Sequence, residues 1–261
     1  MICLPLYLAV TPDHLTAALA LTPHLALVAY RVADDGTLLI CDLPSTLRGG
    51  VMVVDCPVAF PAAAAESLAR TIMDHCLQRS FFGIVLDAPR TAGSCVAALA
   101  RQLQPLCDAY RRQLWLPEHC AEAVPGSVAL LCTALSGGSL ARRLEEAAAH
   151  YGPGRIALDL QRLAMEFPLP CPTGEGTPLT VQELHRQLQD AAVYYCSELC
   201  ARYFTRRHGG STRFVLFDDG DTLRRKRELA ASYGITDTVV MWPEVEDIAD
   251  TLFDAQKEGE P

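Results

Sequence analysis

The sequence FFGIVLDAPR, residues 81–90, is an apolar run that ends at Asp87 and is followed by a proline and an arginine. Continuous apolar runs rich in Val, Ile and Leu are typical of strands that are covered on both faces in a parallel sheet. In a closed parallel barrel, side chains at the carboxyl ends of such strands face the functional site. Asp87 therefore lies where a barrel enzyme holds a catalytic group, and the residues after it decide what chemistry is available.

Similar apolar runs recur along the whole chain. The eight predicted strands are residues 4–10, 25–32, 50–55, 82–87, 113–117, 128–134, 155–160 and 238–242. Segments with helical periodicity are predicted at 61–79, 93–112, 139–151, 180–204, 221–233 and 244–255. Eight strands separated largely by helices in 261 residues predict an α/β fold, a (β/α)8 TIM barrel forming one domain over residues 1–261. The alternative is an open doubly wound sheet, but no glycine-rich phosphate turn follows the first strand.

Two regions depart from the regular alternation. The connection between the second and third strands contains the turn Asp34-Asp35-Gly36 and is too short for a full helix, so we expect a loop with a short ribbon. The segment 161–220 is rich in proline and glycine and holds one added strand at 212–219. We predict that this segment is an insertion, rich in loops, on the rim of the active face.

Composition limits the class of ligand and the compartment. The chain carries 31 acidic and 22 basic residues, a formal net charge of −9, which argues against nucleic acid or an anionic membrane as the main partner. Eleven dispersed cysteines predict free thiols in a reducing compartment. We find no leader-like start and no membrane span, and therefore predict a cytoplasmic location. No cofactor is predicted, and no metal site, since Cys196-x-x-x-Cys200 lacks a histidine at matching spacing.

The candidate site residues lie at the carboxyl ends of the predicted strands. They are Tyr30 and Arg31 from the second strand, then Asp55, Asp87, Glu118, Asp159 and Trp242. Each acid has a structural alternative, because an Asp at the start of a loop commonly accepts hydrogen bonds from the backbone of the following turn.

Three segments, residues 29–39, 81–90 and 212–245, resemble glycoside hydrolase family 18 barrels, especially the branch of spore-germination and cortex-lytic enzymes. The resemblance implies a TIM barrel that acts on N-acetyl sugar polymers. It also implies a D-G-x-D-x-D-x-E motif at the fourth strand, whose final Glu protonates the glycosidic oxygen. The preceding Asp steadies the N-acetyl group of the substrate, which acts as the nucleophile.

This chain departs from the family pattern at the residues that carry the chemistry. The four acidic positions of the motif fall on Phe82, Val85, Asp87 and Pro89, so only Asp87 is retained. Proline has no proton to give, and the neighbouring Arg90 is permanently charged.

The sixth strand departs in the same way. The family's Met-x-Tyr-Asp segment, which holds the N-acetyl group, corresponds to Cys132, Ala134 and Leu135. The aromatic floor of the sugar site would be Trp242, with core packing as the alternative role of that side chain.

Three hypotheses follow from these residues. The first is a family 18-like barrel without its catalytic acid, which binds an N-acetylglucosamine polymer, peptidoglycan or a protein partner, in association with a bacterial spore. The second is an active glycosidase in which Glu118 and Asp159 have taken over as the carboxyl pair. The third is a scaffold or assembly protein without a sugar site, in which the barrel is filled by its own side chains.

Overall fold

Eight parallel strands form a closed barrel in the computed structural model, which describes residues 5–208 and 210–253. With strands numbered along the chain, the barrel consists of β1 (Leu6–Val10), β2 (Leu25–Val32), β4 (Val51–Asp55), β5 (Gly83–Asp87), β6 (Gln113–Pro117), β7 (Val128–Cys132), β8 (Ile156–Asp159) and β14 (Asp237–Met241). The barrel closes because β1 pairs in parallel with both β2 and β14. The TIM barrel and all eight of its predicted strands are therefore confirmed, within a residue or two at their ends.

Helices surround the barrel. They are α1 (Leu15–Leu21), α2 (Ala65–Gln78), α3 (Gly93–Ala109), α4 (Glu118–Ala121), α5 (Leu140–Tyr151), α6 (Val181–Leu188), α7 (Gly220–Ser232), α8 (Trp242–Val245) and α9 (Ala249–Phe253). Local sequence sets several of their ends. The Ser139 side chain caps the start of α5, and Gly152, at a φ of 83°, ends it. No helix within the described residues is long and apolar enough to cross a bilayer.

The core has two layers. Inside the barrel, Tyr7, Phe82 and Trp115 pack together, with ring centroids of Tyr7 at 5.1 Å from Phe82 and 5.7 Å from Trp115. The alternate residues of each strand point outward and pack against the helices in a larger apolar layer. The barrel is thus filled below its mouth by aromatic side chains, which leave no room for a ligand in its interior.

The connection after β2 contains the expected ribbon. The strand β3 (Leu38–Ile40) runs antiparallel to the end of β2, after a turn that includes Gly36 at a φ of 85°. The ten cysteines within the described residues are all free, as predicted, whereas Cys3 lies outside them. The predicted helix over 244–255 is broken into α8, a 3-10 turn (Glu246–Ile248) and α9, and its last two residues lie outside the described part of the chain.

The insertion between β8 and α7 forms a second sheet. Five antiparallel strands lie in the order β10 (Thr177–Pro178), β9 (Ala164–Leu169), β13 (Ser211–Phe217), β12 (Ala201–His208) and β11 (Tyr194–Cys196). The predicted helix over 180–204 is therefore wrong beyond Leu188. The residues after Leu188 form strands, in which aromatic residues such as Tyr203 and Phe204 are favoured, and Cys200, at a φ of 50°, turns the chain between β11 and β12.

A buried ion pair joins this insertion and α7 to the barrel. Lys226 Nζ lies 2.7 Å from Asp218 Oδ2, and both side chains are inaccessible to solvent. Lys226 Nζ also donates to the carbonyl oxygen of Thr133 at 3.1 Å, just after β7, while Asp218 Oδ2 accepts from the Leu163 amide at 2.9 Å. Because each charge is buried with several partners, the pair fixes the orientation of the elements that carry it.

Candidate functional site

Acidic side chains line the mouth of the barrel. Within each strand, the residues that pack in the barrel interior, such as Val53, Val85 and Ala157, are followed two positions later by Asp55, Asp87 and Asp159. Since successive strand residues alternate between the two faces, these three carboxyl groups point toward the mouth. The structure therefore brings together three of the four acids predicted from the strand ends.

Asp87 and Asp55 are neighbours across β5 and β4, where their Cα atoms are register partners. The protein atoms around Asp87 replace enough water to raise its pKa, and the charge of Asp55 raises that pKa further, although solvent still reaches the side chain. Arg31 Nε lies 3.5 Å from Asp55 Oδ2, and both of these side chains are well exposed. Arg31 thus partly offsets the negative charge at this side of the mouth, as expected of a screened surface pair.

Asp159 has the most perturbed carboxyl group of the mouth. Burial raises its pKa to about 6, and the charges of Glu244 and Asp87 act in the same direction. Gln161 Nε2 donates to Asp159 Oδ2 at 2.7 Å, which opposes the rise by stabilising the ionised form. Cys132 Sγ lies 3.4 Å from Gln161 Oε1 and shares the register of Asp159 across β7 and β8. A carboxyl group of this kind is partly protonated near pH 6.

A buried arginine orders the wall beside Asp159. The Arg162 amide donates to Glu244 Oε2 at 2.9 Å, and its guanidinium donates to the Glu244 carbonyl at 3.1 Å and pairs with Asp247. Burial nevertheless raises the pKa of Glu244. The segment after β8 is thereby held against the segment after β14, which keeps Asp159 and Gln161 in place.

The position two residues after Asp87 holds no acid. Pro89 is exposed and starts the turn into α3, since its carbonyl oxygen accepts from the Ala92 amide at 3.0 Å. Arg90 follows in the 3-10 turn (Arg90–Ala92), where its charge lowers the pKa of His119 in addition to the larger effect of burial. At this point of the mouth the side chains are therefore a proline, which has no proton to donate, and a permanently charged arginine.

Glu118 lies in a different environment from the three aspartates. It begins α4, and its Oε2 accepts from Arg143 NH2 at 2.5 Å. It lines a groove of about 200 Å³ between α4 and α5, together with Glu122, Glu146 and Tyr151. This placement does not support the predicted role of Glu118 as one of two facing carboxyl groups, which stays a prediction.

Tyr30 and Trp242 are buried in the outer layer between barrel and helices. Tyr30 is 1% exposed, and its ring contacts Phe81 and His75 at centroid distances of 6.2 and 6.1 Å. A register irregularity between Val28 and Tyr30 reverses the alternation of β2 and turns this side chain outward. Trp242 is 5% exposed, since β14 ends one residue earlier and Met241 takes the inward position. Their predicted contact with a ligand is not supported by this burial.

The sequence analysis missed an aromatic row on the second sheet. The row consists of Tyr194, Tyr203, Phe214 and Phe167, with successive ring centroids 5.6, 5.4 and 6.3 Å apart. Tyr194 is 56% exposed, and Tyr203 and Phe214 are half-buried. The alternation of side chains between the two faces of β12 and β13 could have indicated the row, but the pattern can be recognised only once the pairing of the strands is known.

The aromatic row begins at the rim of the mouth. Ala134 and Leu135, the two residues that follow β7 and Thr133, pack in the same apolar cluster as Phe167, Tyr203 and Phe214. The face of the second sheet that carries the row is therefore the face directed toward the carboxyl end of the barrel. Among the described residues, no three His, Cys, Asp or Glu side chains are grouped closely enough to hold a metal ion.

Known structures share this architecture. The spore cortex-lytic enzyme SleL of Bacillus megaterium superimposes with a TM-score of 0.61 at 13% identity, over 96% of this chain and 74% of SleL. A chitinase of Chromobacterium violaceum gives 0.62 at 12% identity, over 98% and 99% of the two chains. A family GH18 chitinase of Cycas revoluta, solved with allosamidin, gives 0.64 at 11% identity, again over 98% and 99%.

The likeness to these enzymes is one of fold. No protein-family profile matches the sequence, and no curated protein matches it. The chain thus has a TIM barrel of the kind found in GH18 chitinases and spore cortex-lytic enzymes, which confirms the resemblance read from the sequence at the level of architecture. What the mouth of this barrel does has to be argued from its own residues.

Proposed function

We propose that this barrel binds a glycan built of N-acetyl sugars at its mouth and does not cleave it by the family 18 route. The proposal rests on Pro89, which stands two residues after Asp87, where the resemblance to family 18 implies the catalytic acid. General acid catalysis contributes about 10²–10⁴ in rate, and a proline contributes none of it. The same resemblance implies that Ala134 and Leu135 stand where the family has the residues that hold the N-acetyl group.

The aromatic row supports glycan binding rather than an inert scaffold. Sugar rings present apolar faces, and exposed aromatic rings on a rigid sheet offer flat surfaces against which such faces pack. Tyr194 and Tyr203 are accessible and are held in place by stacking on each other and on Phe214. At the mouth of the barrel, Asp87, Asp159 and Gln161 offer hydrogen-bond partners for sugar hydroxyl groups.

A second candidate function is slow glycoside hydrolysis with Asp159 as the acid. The observation in its favour is the pKa of Asp159, raised to about 6, which keeps part of the population protonated near neutral pH. Asp87, whose charge acts on Asp159, is the nearby carboxylate that would stabilise positive charge at the sugar. This candidate requires the two carboxyl groups to face a single glycosidic bond.

Binding is tested by calorimetric titration with N-acetylglucosamine tetramer and with peptidoglycan fragments. We expect saturable binding that Tyr203→Ala weakens about tenfold, equivalent to about 1.4 kcal/mol. Tyr110→Ala is the matched control, since Tyr110 is 51% exposed at the end of α3, away from the mouth. Absence of binding to both ligand classes, or an equal loss in both variants, would refute the proposal.

The cellular setting is a separate proposal. We propose an association with the bacterial spore, on the basis of the likeness to the cortex-lytic enzyme SleL. The cytoplasmic location and the protein partner remain predictions from the sequence.

A further inference from the structure

A cavity that is open to solvent lies at the end of the barrel opposite the mouth, and three of its four lining residues are exposed. It is about 250 Å³ in volume and is lined by Ser45, Arg48, Gln78 and Arg79. Ser45 and Arg48 belong to the loop that precedes β4, whereas Gln78 and Arg79 end α2 just before β5. Both segments enter strands at their amino ends, so the cavity is separated from the mouth by the full length of the barrel.

Two arginines in this cavity lack a carboxylate partner. Within residues 5–208 and 210–253, neither Arg48 nor Arg79 has a carboxylate oxygen within 4.0 Å. In a chain of net charge −9, two adjacent unpaired guanidinium groups create a local positive field in a concave, partly screened place.

Arg79 has a structural role in the fold, whereas most of the hydrogen-bond donors of Arg48 do not. Arg79 donates from NH1 to the Pro44 carbonyl at 2.9 Å and from NH2 to the Leu43 carbonyl at 3.3 Å, which fastens the loop to the end of α2. Arg48 donates from NH1 alone, to the carbonyl oxygens of Ser45 at 2.6 Å and Leu47 at 3.0 Å. In the described structure its Nε and NH2 groups make no hydrogen bond, and its side chain is free to donate into the cavity.

The loop that carries Arg48 is held in a defined shape. Gly49 and Gly50 both have φ values near 80°, and the Gly49 amide donates to the Arg79 carbonyl at 2.9 Å. A side chain at position 50 would place its Cβ 2.4 Å from the Leu25 carbonyl oxygen, so the close approach requires glycine there. The backbone next to Arg48 is therefore set in place before any ligand arrives.

We infer that this cavity binds a phosphate group, with Arg48 as the principal ligand. A guanidinium fork matches two phosphate oxygens, and the Ser45 hydroxyl and the Gln78 amide supply further donors. Because the cavity is open to solvent, the organic part of a phosphate ester can extend out of it. This site is independent of the proposed glycan site.

The test is a titration of the whole chain with inorganic phosphate and with glycerol 3-phosphate. Binding is measured from NMR chemical shifts, and NaCl keeps the ionic strength constant. We expect saturable shifts at Ser45, Gln78 and Gly49, and an affinity at least about tenfold weaker in Arg48→Ala, the effect of losing a charge-assisted bond. Tighter binding of the ester identifies a phosphate monoester as the ligand, whereas equal affinity identifies free phosphate.

Arg101→Ala is the matched control, because it removes one positive charge from an exposed position on α3. An equal loss of affinity in Arg101→Ala and Arg48→Ala would show nonspecific attraction and overturn the inference. Shifts that do not saturate, or that NaCl reproduces at the same ionic strength without phosphate, would overturn it as well. Circular dichroism of both variants establishes that they are folded.

Discussion

Replacing Asp159 by Asn should stabilise the protein above about pH 7 and leave its stability unchanged below about pH 4. The folded-state pKa of Asp159 is about 6, against an ordinary value of 3.8. The folded protein therefore holds this proton more tightly than the unfolded chain does. The protonated Asp159 side chain contributes its full stability below the pKa of the unfolded chain. This contribution falls as the pH rises above that value, and it is lost once the pH passes the pKa of the folded protein.

The difference between the two pKa values of Asp159 corresponds to about 3 kcal/mol, which is an upper limit because the side chain is partly exposed. Asn resembles the protonated acid, and its carbonyl oxygen can still accept the hydrogen bond that Gln161 Nε2 gives to Asp159. The assay is urea unfolding, followed by circular dichroism, of both proteins at about pH 8 and about pH 4. The gain should approach the limit at the higher pH and vanish at the lower one.

Asp35→Asn provides a control of opposite sign. The Thr37 amide donates to Asp35 Oδ1 at 2.8 Å, and this hydrogen bond lowers the pKa of Asp35. That variant should lose stability at both pH values, because a folded-state pKa below 3.8 leaves the carboxylate ionised in the folded protein at about pH 4, and its contribution disappears only as the pH falls further. A gain for Asp159→Asn that is equal at both pH values, or a loss at about pH 8, would show that burial does not disfavour the charge at the mouth, and would refute the reasoning.

Three further outcomes are expected. Lys226→Met should lower the free energy of unfolding by about 3–5 kcal/mol, because it leaves the Asp218 carboxylate buried without its cation. Adding Asp218→Asn should restore much of the lost stability. A loss below about 1 kcal/mol for Lys226→Met in urea unfolding would contradict this. Tyr30→Phe should change the free energy of unfolding by less than about 1 kcal/mol, since the buried hydroxyl lies beside the Arg79 side chain without a hydrogen bond of normal geometry within the described residues, and a marked loss of stability would show that Arg79 does bind it. Tyr194→Ala should weaken binding of N-acetylglucosamine tetramer without changing the melting temperature, because Tyr194 is 56% exposed, and unchanged binding would remove the outer ring from the site.

The barrel could be predicted because its strands are encoded locally. The sequences of β5 and β6 are apolar at nearly every position. A strand needs apolar residues at successive positions only when both of its faces are covered. The acids that end β4, β5 and β8 could be predicted for the same reason, since closure of the barrel brings the carboxyl ends together.

Orientation was less predictable than position. The irregularity between Val28 and Tyr30 in β2 reverses which side chains face the mouth, and nothing in the local composition marks it. At the end of β14, a difference of one residue in the strand end decides whether Met241 or Trp242 takes the inward position.

The second sheet was predictable only in part. The strand at 212–219 and the capping box of Thr180 and Glu183 are both confirmed, with β13 at Ser211–Phe217 and α6 starting at Val181. The residues after α6 have enough helical spacing to conceal β11 and β12. The aromatic row depends on pairing between Phe214 and Phe167 across 47 positions of the chain, and single-sequence periodicity carries no information on such pairing.

The most direct measurement of the central claim is a turnover assay on N-acetylglucosamine tetramer, with the products followed by mass spectrometry, at ligand concentrations where calorimetry shows binding. We predict that the wild-type protein binds the tetramer and that its cleavage does not exceed that of an Asp87→Asn, Asp159→Asn double variant. Cleavage well above that background, with a pH–rate profile that disappears in Asp159→Asn, would contradict the claim and establish Asp159 as the acid.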